Sequence, residues 1–118
     1  LGVSYRGDVR DTRSSPVESF YKKCEEARCI ISLHDPLVDF WEEIGCRIPT
    51  HLGEVLRPGF DLVAITAGHS LYKTRKFIDH LMIVKPKVVF DSLGILAEED
   101  INRLKRVSKV CVIGRGDL

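Results

Sequence analysis

Short apolar runs rich in β-branched residues recur along the chain and alternate with stretches of helical periodicity. This alternation constrains the fold more than any other feature. The runs are Leu1 to Tyr5, Cys29 to Leu33, Asp61 to Thr66, Lys87 to Phe90 and Lys109 to Ile113. Several are apolar at consecutive positions, which suits parallel strands covered on both faces. Between them Val17, Phe20, Tyr21 and Cys24 follow i, i+3, i+4, i+7 spacing, with shorter stripes at Phe77, Ile78, Leu81 and Met82 and at Ile101, Leu104 and Val107. Ser15 is placed to cap the first helix, Pro16 fits its first position, and Glu18 completes a capping box. Strands alternating with helices predict an open, mostly parallel α/β sheet of about five strands with helices on both faces and right-handed crossovers. The stretch from Asp35 to Pro58 is less regular, and His51 to Leu56 reads as a short helix ended by Pro58-Gly59.

At 118 residues the chain is sized for one domain, 1–118. With 44% hydrophobic and 30% charged residues it falls among ordinary globular proteins, not disordered or coiled-coil chains. No apolar run approaches the roughly 18 residues a membrane span needs. The chain opens Leu-Gly-Val-Ser-Tyr, which is not a signal peptide, and it lacks an initiator Met, so a piece of something longer is expected. Its 18 basic and 17 acidic residues give a net charge of +1, and neither a nucleic-acid nor a membrane partner is expected. The basic cluster Arg103, Lys105, Arg106, Lys109 reads as a solvated helix face. Cysteines 24, 29, 46 and 111 form no C-x-x-C pair and stand at no zinc spacing to a histidine, so no metal site is expected. Core packing in a reducing cytoplasm is the expectation for them.

In an open α/β sheet, ligands bind beyond the carboxyl ends of the strands. The loop Arg6 to Ser15 places Arg6, Arg10 and Arg13 just ahead of a helix N-terminus, itself an anion site, and guanidinium groups add forked phosphate recognition. The fingerprint G-x-G-x-x-G is absent, so any anion is gripped by side chains. The competing reading is a salt-bridged loop in which Asp8 and Asp11 pair the arginines. Asp35 either holds a ribose hydroxyl or, more plainly, opens an Asp-Pro turn. His69 either donates to a ligand or caps the next segment through Ser70, and Asp91 is either structural or part of a polar site. Arg-Gly-Asp occurs twice, at 6–8 and 115–117, and is read as chance.

The opening Gly2-Val3-Ser4-Tyr5-Arg6-Gly7-Asp8-Val9-Arg10-Asp11-Thr12-Arg13-Ser14-Ser15-Pro16 resembles the start of the C-terminal domain of the UDP-glucose/GDP-mannose dehydrogenase family. That start is an apolar strand, an aromatic residue, Lys, a short loop and D-x-R-x-S-P. His34-Asp35-Pro36, Ala67-Gly68-His69-Ser70, Asp91-Ser92-Leu93-Gly94-Ile95-Leu96 and Gly114-Arg115-Gly116 continue the likeness in the family's order. The flavour is closest to the branch oxidising UDP-N-acetylhexosamines, UDP-N-acetylmannosamine among them. The resemblance implies a Rossmann-like domain that grips the nucleotide diphosphate of a UDP-sugar. It further implies an N-terminal NAD-binding domain, the catalytic Cys and a central dimer-building helix, all outside this chain, in a parent enzyme that is a homodimer or larger. Tyr5, Arg6 and Arg115 are expected at the substrate and Arg13 at the NAD pyrophosphate, with Asp11, His69, Ser70 and Asp91 as further cleft residues. Arg6 stands where the family has Lys, and Leu93 where Arg or Lys is common. The alternative is a free-standing Rossmann-like nucleotide-binding or regulatory module without catalysis.

Overall fold

A computed structural model describes all residues, 1–118. Three strands, β3 (Leu62–Ile65), β4 (Val88–Asp91) and β5 (Lys109–Val112), form a parallel sheet in the order β3-β4-β5, with Ala64 opposite Phe90 and Phe90 opposite Cys111. Two further extended segments continue it past β3. The Leu1 amino group donates to the Ala64 carbonyl at 2.7 Å, and Thr66 N–H donates to the Leu1 carbonyl at 2.8 Å. On its far side Gly2 N–H donates to the His34 carbonyl at 2.8 Å. The five segments therefore lie in the order 31–35, 1–4, β3, β4, β5, one of the two common orders of doubly wound α/β sheets, and the α/β fold class is as expected. The first two lack a regular ladder because Gly2 takes φ +95°, where a Cβ would stand 2.5 Å from that of Ala67. Only glycine tolerates that turn and that contact.

Helix α1 (Pro16–Glu26) begins as expected: Ser15 Oγ accepts from Val17 N–H, and Pro16 opens the helix. The reciprocal half of the capping box does not form, since the Glu18 carboxylate pairs with Lys22 one turn on. Helices α2 (Arg75–Val84) and α3 (Glu98–Leu104) follow β3 and β4. Their Phe77, Ile78, Leu81, Ile101 and Leu104 pack with Val63, Ile65, Val89, Val110 and Val112 in one core. Thr74 caps α2 by accepting from Phe77 N–H. Residues 51–56 form a single 3-10 turn, Leu52–Glu54, as the pattern suggested.

A second, smaller core joins Val3, Val17, Val38, Trp41 and Ile48. It includes an unanticipated antiparallel pair, β1 (Phe40–Trp41) and β2 (Cys46–Arg47), turned at Gly45 with φ +78°. Helix α1 packs on this core, not across β3–β5. Coverage of the main sheet is therefore unequal: Val63, Ile65, Val89, Val110 and Val112 are buried, while Leu62 and Lys109 on the other face are exposed and Ala64, Phe90 and Cys111 half-buried. Consecutive apolar residues in these strands thus mark one deep face and one shallow one.

The cysteines depart from the expected core positions. Cys29 is exposed, and Cys24, Cys46 and Cys111 are half-buried. Segment 29–33 is the outer edge of the sheet, with Ile30 fully exposed, so its apolar run does not signify burial. No helix is long and apolar enough to cross a membrane.

Candidate functional site

The loops beyond the carboxyl ends of the strands are tied together from beneath by a buried polar network. Asp35, wholly buried, accepts from four donors. Leu37 N–H and Val38 N–H reach its Oδ1 at 2.8 and 3.0 Å, and Val3 N–H and His69 Nε2 reach its Oδ2 at 2.9 and 2.8 Å. Burial alone would raise this carboxyl's pKa, but the donors from His69, Leu37 and Val3 outweigh it and hold it below the usual value. Asp35 is thus a turn residue, as its Asp-Pro context suggested, and also the pin between the first two extended segments and the loop after β3. A ribose has no access to it.

His69 is buried too. Its Nδ1 accepts from Asp8 N–H at 2.9 Å, which leaves Nε2 as the protonated nitrogen, facing Asp35 Oδ2 and Ser4 Oγ. Both ring nitrogens are engaged within the chain. The Asp8 carboxylate in turn accepts from Ser70 N–H at 2.9 Å and from the Ser70 hydroxyl. Gly7 packs so closely on Gly68 that a Cβ there would lie 2.1 Å from the Gly68 carbonyl oxygen. Loop 5–15 is therefore fastened to loop 67–70 by His69–Asp8, by Asp8–Ser70 and by backbone contact. Gly7, Ser4 and Asp8 as fasteners were not anticipated. The only sequence signal was a glycine in each of two loops that the fold sets side by side.

A second buried pair lies below. His34 Nδ1 accepts from the Tyr72 hydroxyl at 2.8 Å, and Nε2–H donates to the Thr50 carbonyl at 3.1 Å. Burial pushes the His34 pKa from 6.5 down to about 4, with the Thr50 carbonyl opposing. Unfolded chain therefore takes up a proton below pH 6.5 that folded chain refuses. This contribution to stability is complete above pH 6.5 and is lost as pH falls towards 4, by about 3 kcal/mol in all. Urea unfolding at pH 7, 5.5 and 4 should show that slope, and His34→Gln should flatten it. An unchanged slope in the variant would refute the assignment.

On this base the loop presents its cationic side chains outward. Arg6, Arg10 and Arg13 are all exposed. Asp11 accepts forked bonds from Arg13 Nε and Nη2, both 3.0 Å, and these hold its carboxyl at about 2. Arg6 and Arg10 have no carboxylate partner. Asp8 does not pair an arginine at all. The loop is thus salt-bridged at one of its three arginines and open at two. Tyr5, 57% exposed, lines a shallow cleft of about 450 Å³ with Asp11, Arg13 and Ser14. The backbone bond from Tyr5 N–H to the Asp11 carbonyl, 2.6 Å, sets the mouth of that cleft. Thr12 is anchored behind it by a hydrogen bond to Glu43 on the β1–β2 turn.

The remaining anticipated residues are not gathered there. Asp91, buried at the end of β4, accepts from Leu93, Gly94 and Leu96 N–H and shapes its own loop. Arg115, past β5, is held by Asp117 through Nε and Nη2 at 2.8 Å and by Glu98 at 3.1 and 3.3 Å. These contacts raise its already high pKa and lower that of Asp117 to about 2. In the second Arg-Gly-Asp tripeptide Arg115 pairs with Asp117, while in the first only Asp8 is engaged, by Ser70, and Arg6 stands free. The thiols of Cys24 and Cys46 are raised by burial, unlike an activated nucleophile. No group of three or more His, Cys, Asp or Glu side chains is arranged to hold a metal.

A parallel α/β sheet with an arginine-bearing, pre-tied loop at its carboxyl edge defines a nucleotide-binding type of domain. The model of the UDP-glucose/GDP-mannose dehydrogenase family, UDP binding domain, matches residues 1–98, and the chain belongs to that family. It is 32% identical over 99 residues to a UDP-N-acetyl-D-mannosamine dehydrogenase of Methanococcus maripaludis, covering 81% of this chain and 22% of that protein. It is also 32% identical over 120 residues to the enzyme of the same name from Methanocaldococcus jannaschii, covering 98% of this chain and 26% of that protein. Among solved structures it is similar to an NDP-N-acetyl-D-galactosaminuronic acid dehydrogenase from Methanosarcina mazei, with a TM-score of 0.81 and 26% identity over 98% of this chain and 24% of that one. The chain spans about a quarter of the length of these relatives.

Proposed function

We propose that this chain is the C-terminal, substrate-gripping domain of a cytoplasmic, NAD-dependent UDP-sugar 6-dehydrogenase, acting on UDP-N-acetylmannosamine or a related UDP-N-acetylhexosamine. The observation that carries the reading is that Arg6 and Arg10 are exposed and unpaired on the same loop as exposed Tyr5, a loop whose underside is fixed by Asp35, His69 and Gly7. A diphosphate there meets two unpaired guanidinium forks on a fixed backbone, so binding has to order their side chains but not the loop. Tyr5 supplies a flat face for base or ribose. Arg6 in the family's Lys position keeps the charge but contacts phosphate through a planar fork.

NAD, as hydride acceptor, would be bound mainly by another domain. The residues here fit one edge of it: Arg13 lies at the head of α1 with its guanidinium in solvent, able to exchange Asp11 for a pyrophosphate oxygen, while no glycine fingerprint is present to cradle the cofactor. Arg115 in this reading leaves Glu98 and Asp117 to meet the nucleotide when the parent's domains close. The parent is read as a homodimer or larger.

Separate effects are expected from Arg13→Ala. It should leave the affinity of this domain for UDP within about twofold, and should lower NAD-dependent turnover of the full-length parent by tenfold or more. Arg6→Ala should weaken UDP binding by about tenfold, a loss near 1.4 kcal/mol. Calorimetry on the domain and a hydride-transfer assay on the parent measure both. Equal loss of UDP affinity in the two variants would contradict the role given to Arg13.

A further inference from the structure

Helix α1 ends in a closed hydrogen-bonded turn. Cys29 N–H donates to the Cys24 carbonyl at 3.0 Å, Arg28 N–H donates to the Glu25 carbonyl at 2.9 Å, and Arg28 between them is left-handed at φ +61°. In this helix ending the first and sixth residues are brought side by side, usually as an apolar contact. Here both are cysteines. The path Cα–C=O···H–N–Cα through a 3.0 Å bond limits the Cα separation to below about 7 Å, and disulfides span about 4.4–6.8 Å. Burial, and then the neighbouring Cys29 thiol, raise the Cys24 pKa. Cys29 is exposed and Cys24 half-buried, the arrangement of an accessible attacking thiol with a resolving thiol behind it.

We infer that Cys24 and Cys29 are a redox-modification site that closes to an intramolecular disulfide across the end of α1. With a disulfide oxidant such as oxidised glutathione, the Cys29 thiolate attacks one glutathione sulfur. The glutathione S–S bond breaks, a mixed disulfide forms and one glutathione leaves as thiolate. The Cys24 thiolate then attacks Cys29 Sγ, the Cys24–Cys29 bond forms and the second glutathione leaves. Two protein thiols are oxidised, one glutathione disulfide is reduced to two thiols, and the two thiol protons pass to the departing thiolates. The bond would tie α1 to the extended segment that carries His34 and Asp35, and so to the base of the loop cluster.

The test is to incubate the purified protein with oxidised glutathione, alkylate under denaturing conditions and measure the intact mass. The expected product carries two alkyl groups, has lost two hydrogens and carries no glutathione. Proteolysis after Arg28 should leave the Cys24 and Cys29 peptides joined until dithiothreitol separates them. The double variant Cys46→Ser, Cys111→Ser should behave as the parent protein does. Cys24→Ser, checked for folding by circular dichroism, should accumulate glutathione on Cys29. Four alkylated cysteines, a lasting mixed disulfide at Cys29 in the unaltered protein, or a dimer linked through Cys29 would each overturn the proposal.

Discussion

Asp35→Ala is expected to remove a large share of the chain's stability. The substitution leaves the N–H groups of Val3, Leu37 and Val38 without an acceptor, and leaves the Nε2–H of His69 with Ser4 Oγ alone, around a carboxylate site that is wholly buried. Each stranded buried donor costs about 1–3 kcal/mol, partly relieved by relaxation, so a total loss of roughly 3–5 kcal/mol is expected against a usual domain stability of about 5–15 kcal/mol. Asp35→Asn separates charge from geometry. One amide oxygen still serves the Leu37–Val38 turn, but the amide nitrogen then faces Val3 N–H and His69 Nε2–H, donor against donor. Turning the amide over moves the conflict to the turn. Asn is therefore expected to cost less than Ala but well above 1 kcal/mol. Urea denaturation of the three proteins measures this, and an Asn variant as stable as the parent would contradict the donor assignment at His69.

Gly7→Ala is expected to release loop 5–15 from loop 67–70. The added Cβ would meet the Gly68 carbonyl at 2.1 Å for oxygen and 2.5 Å for carbon, both backbone atoms that no rotamer change can move aside. Relief requires the two loops to part, which lengthens the Asp8–His69 and Asp8–Ser70 bonds. An overpacking cost of about 1–3 kcal/mol follows, with at least a tenfold loss of UDP affinity because the loop that bears the arginines is no longer fixed. Gly116→Ala is the control. Nothing lies within 4 Å of a Cβ at that position, and the change should stay within about 0.5 kcal/mol. Affinity lost without any loss of stability at Gly7 would mean that the loop is not tied as described.

The parts of the fold legible in the sequence are those whose signal is local. The runs that become β3, β4 and β5, the Ser15–Pro16 start of α1 and the stripes of α2 and α3 each need only neighbours within a turn or a strand to be recognised. The β1–β2 pair is two residues long on each side, too short to show a period. The exposed start of segment 29–33 could not be foreseen either, because an edge strand and a central strand carry the same apolar run and differ only in what lies beside them.

The same distinction runs through the candidate site. Tyr5, Asp11 and Arg13 are close in sequence, and the structure brings them to one cleft. Asp35, His69 and Ser4 gain their partners across 34 and 65 positions, so their burial is a property of the assembled sheet. A histidine at the end of a strand looks alike in sequence whether it points at a ligand or at a buried carboxylate. Arg115 illustrates the converse: its place after the last strand was evident, but its capture by Glu98 requires α3 to lie alongside.

The loops at the carboxyl edge of the sheet are proposed to form a UDP-binding surface. This is tested most directly by titrating the ¹⁵N-labelled chain with UDP, and in parallel with UMP, GDP and NAD, following backbone amide shifts. The strongest response is expected from UDP, confined to Tyr5–Ser15, Ala67–Ser70 and Gly114–Gly116, with UMP weaker for want of the second phosphate. A stronger response to GDP, shifts centred elsewhere on the fold, or none at millimolar UDP would contradict it.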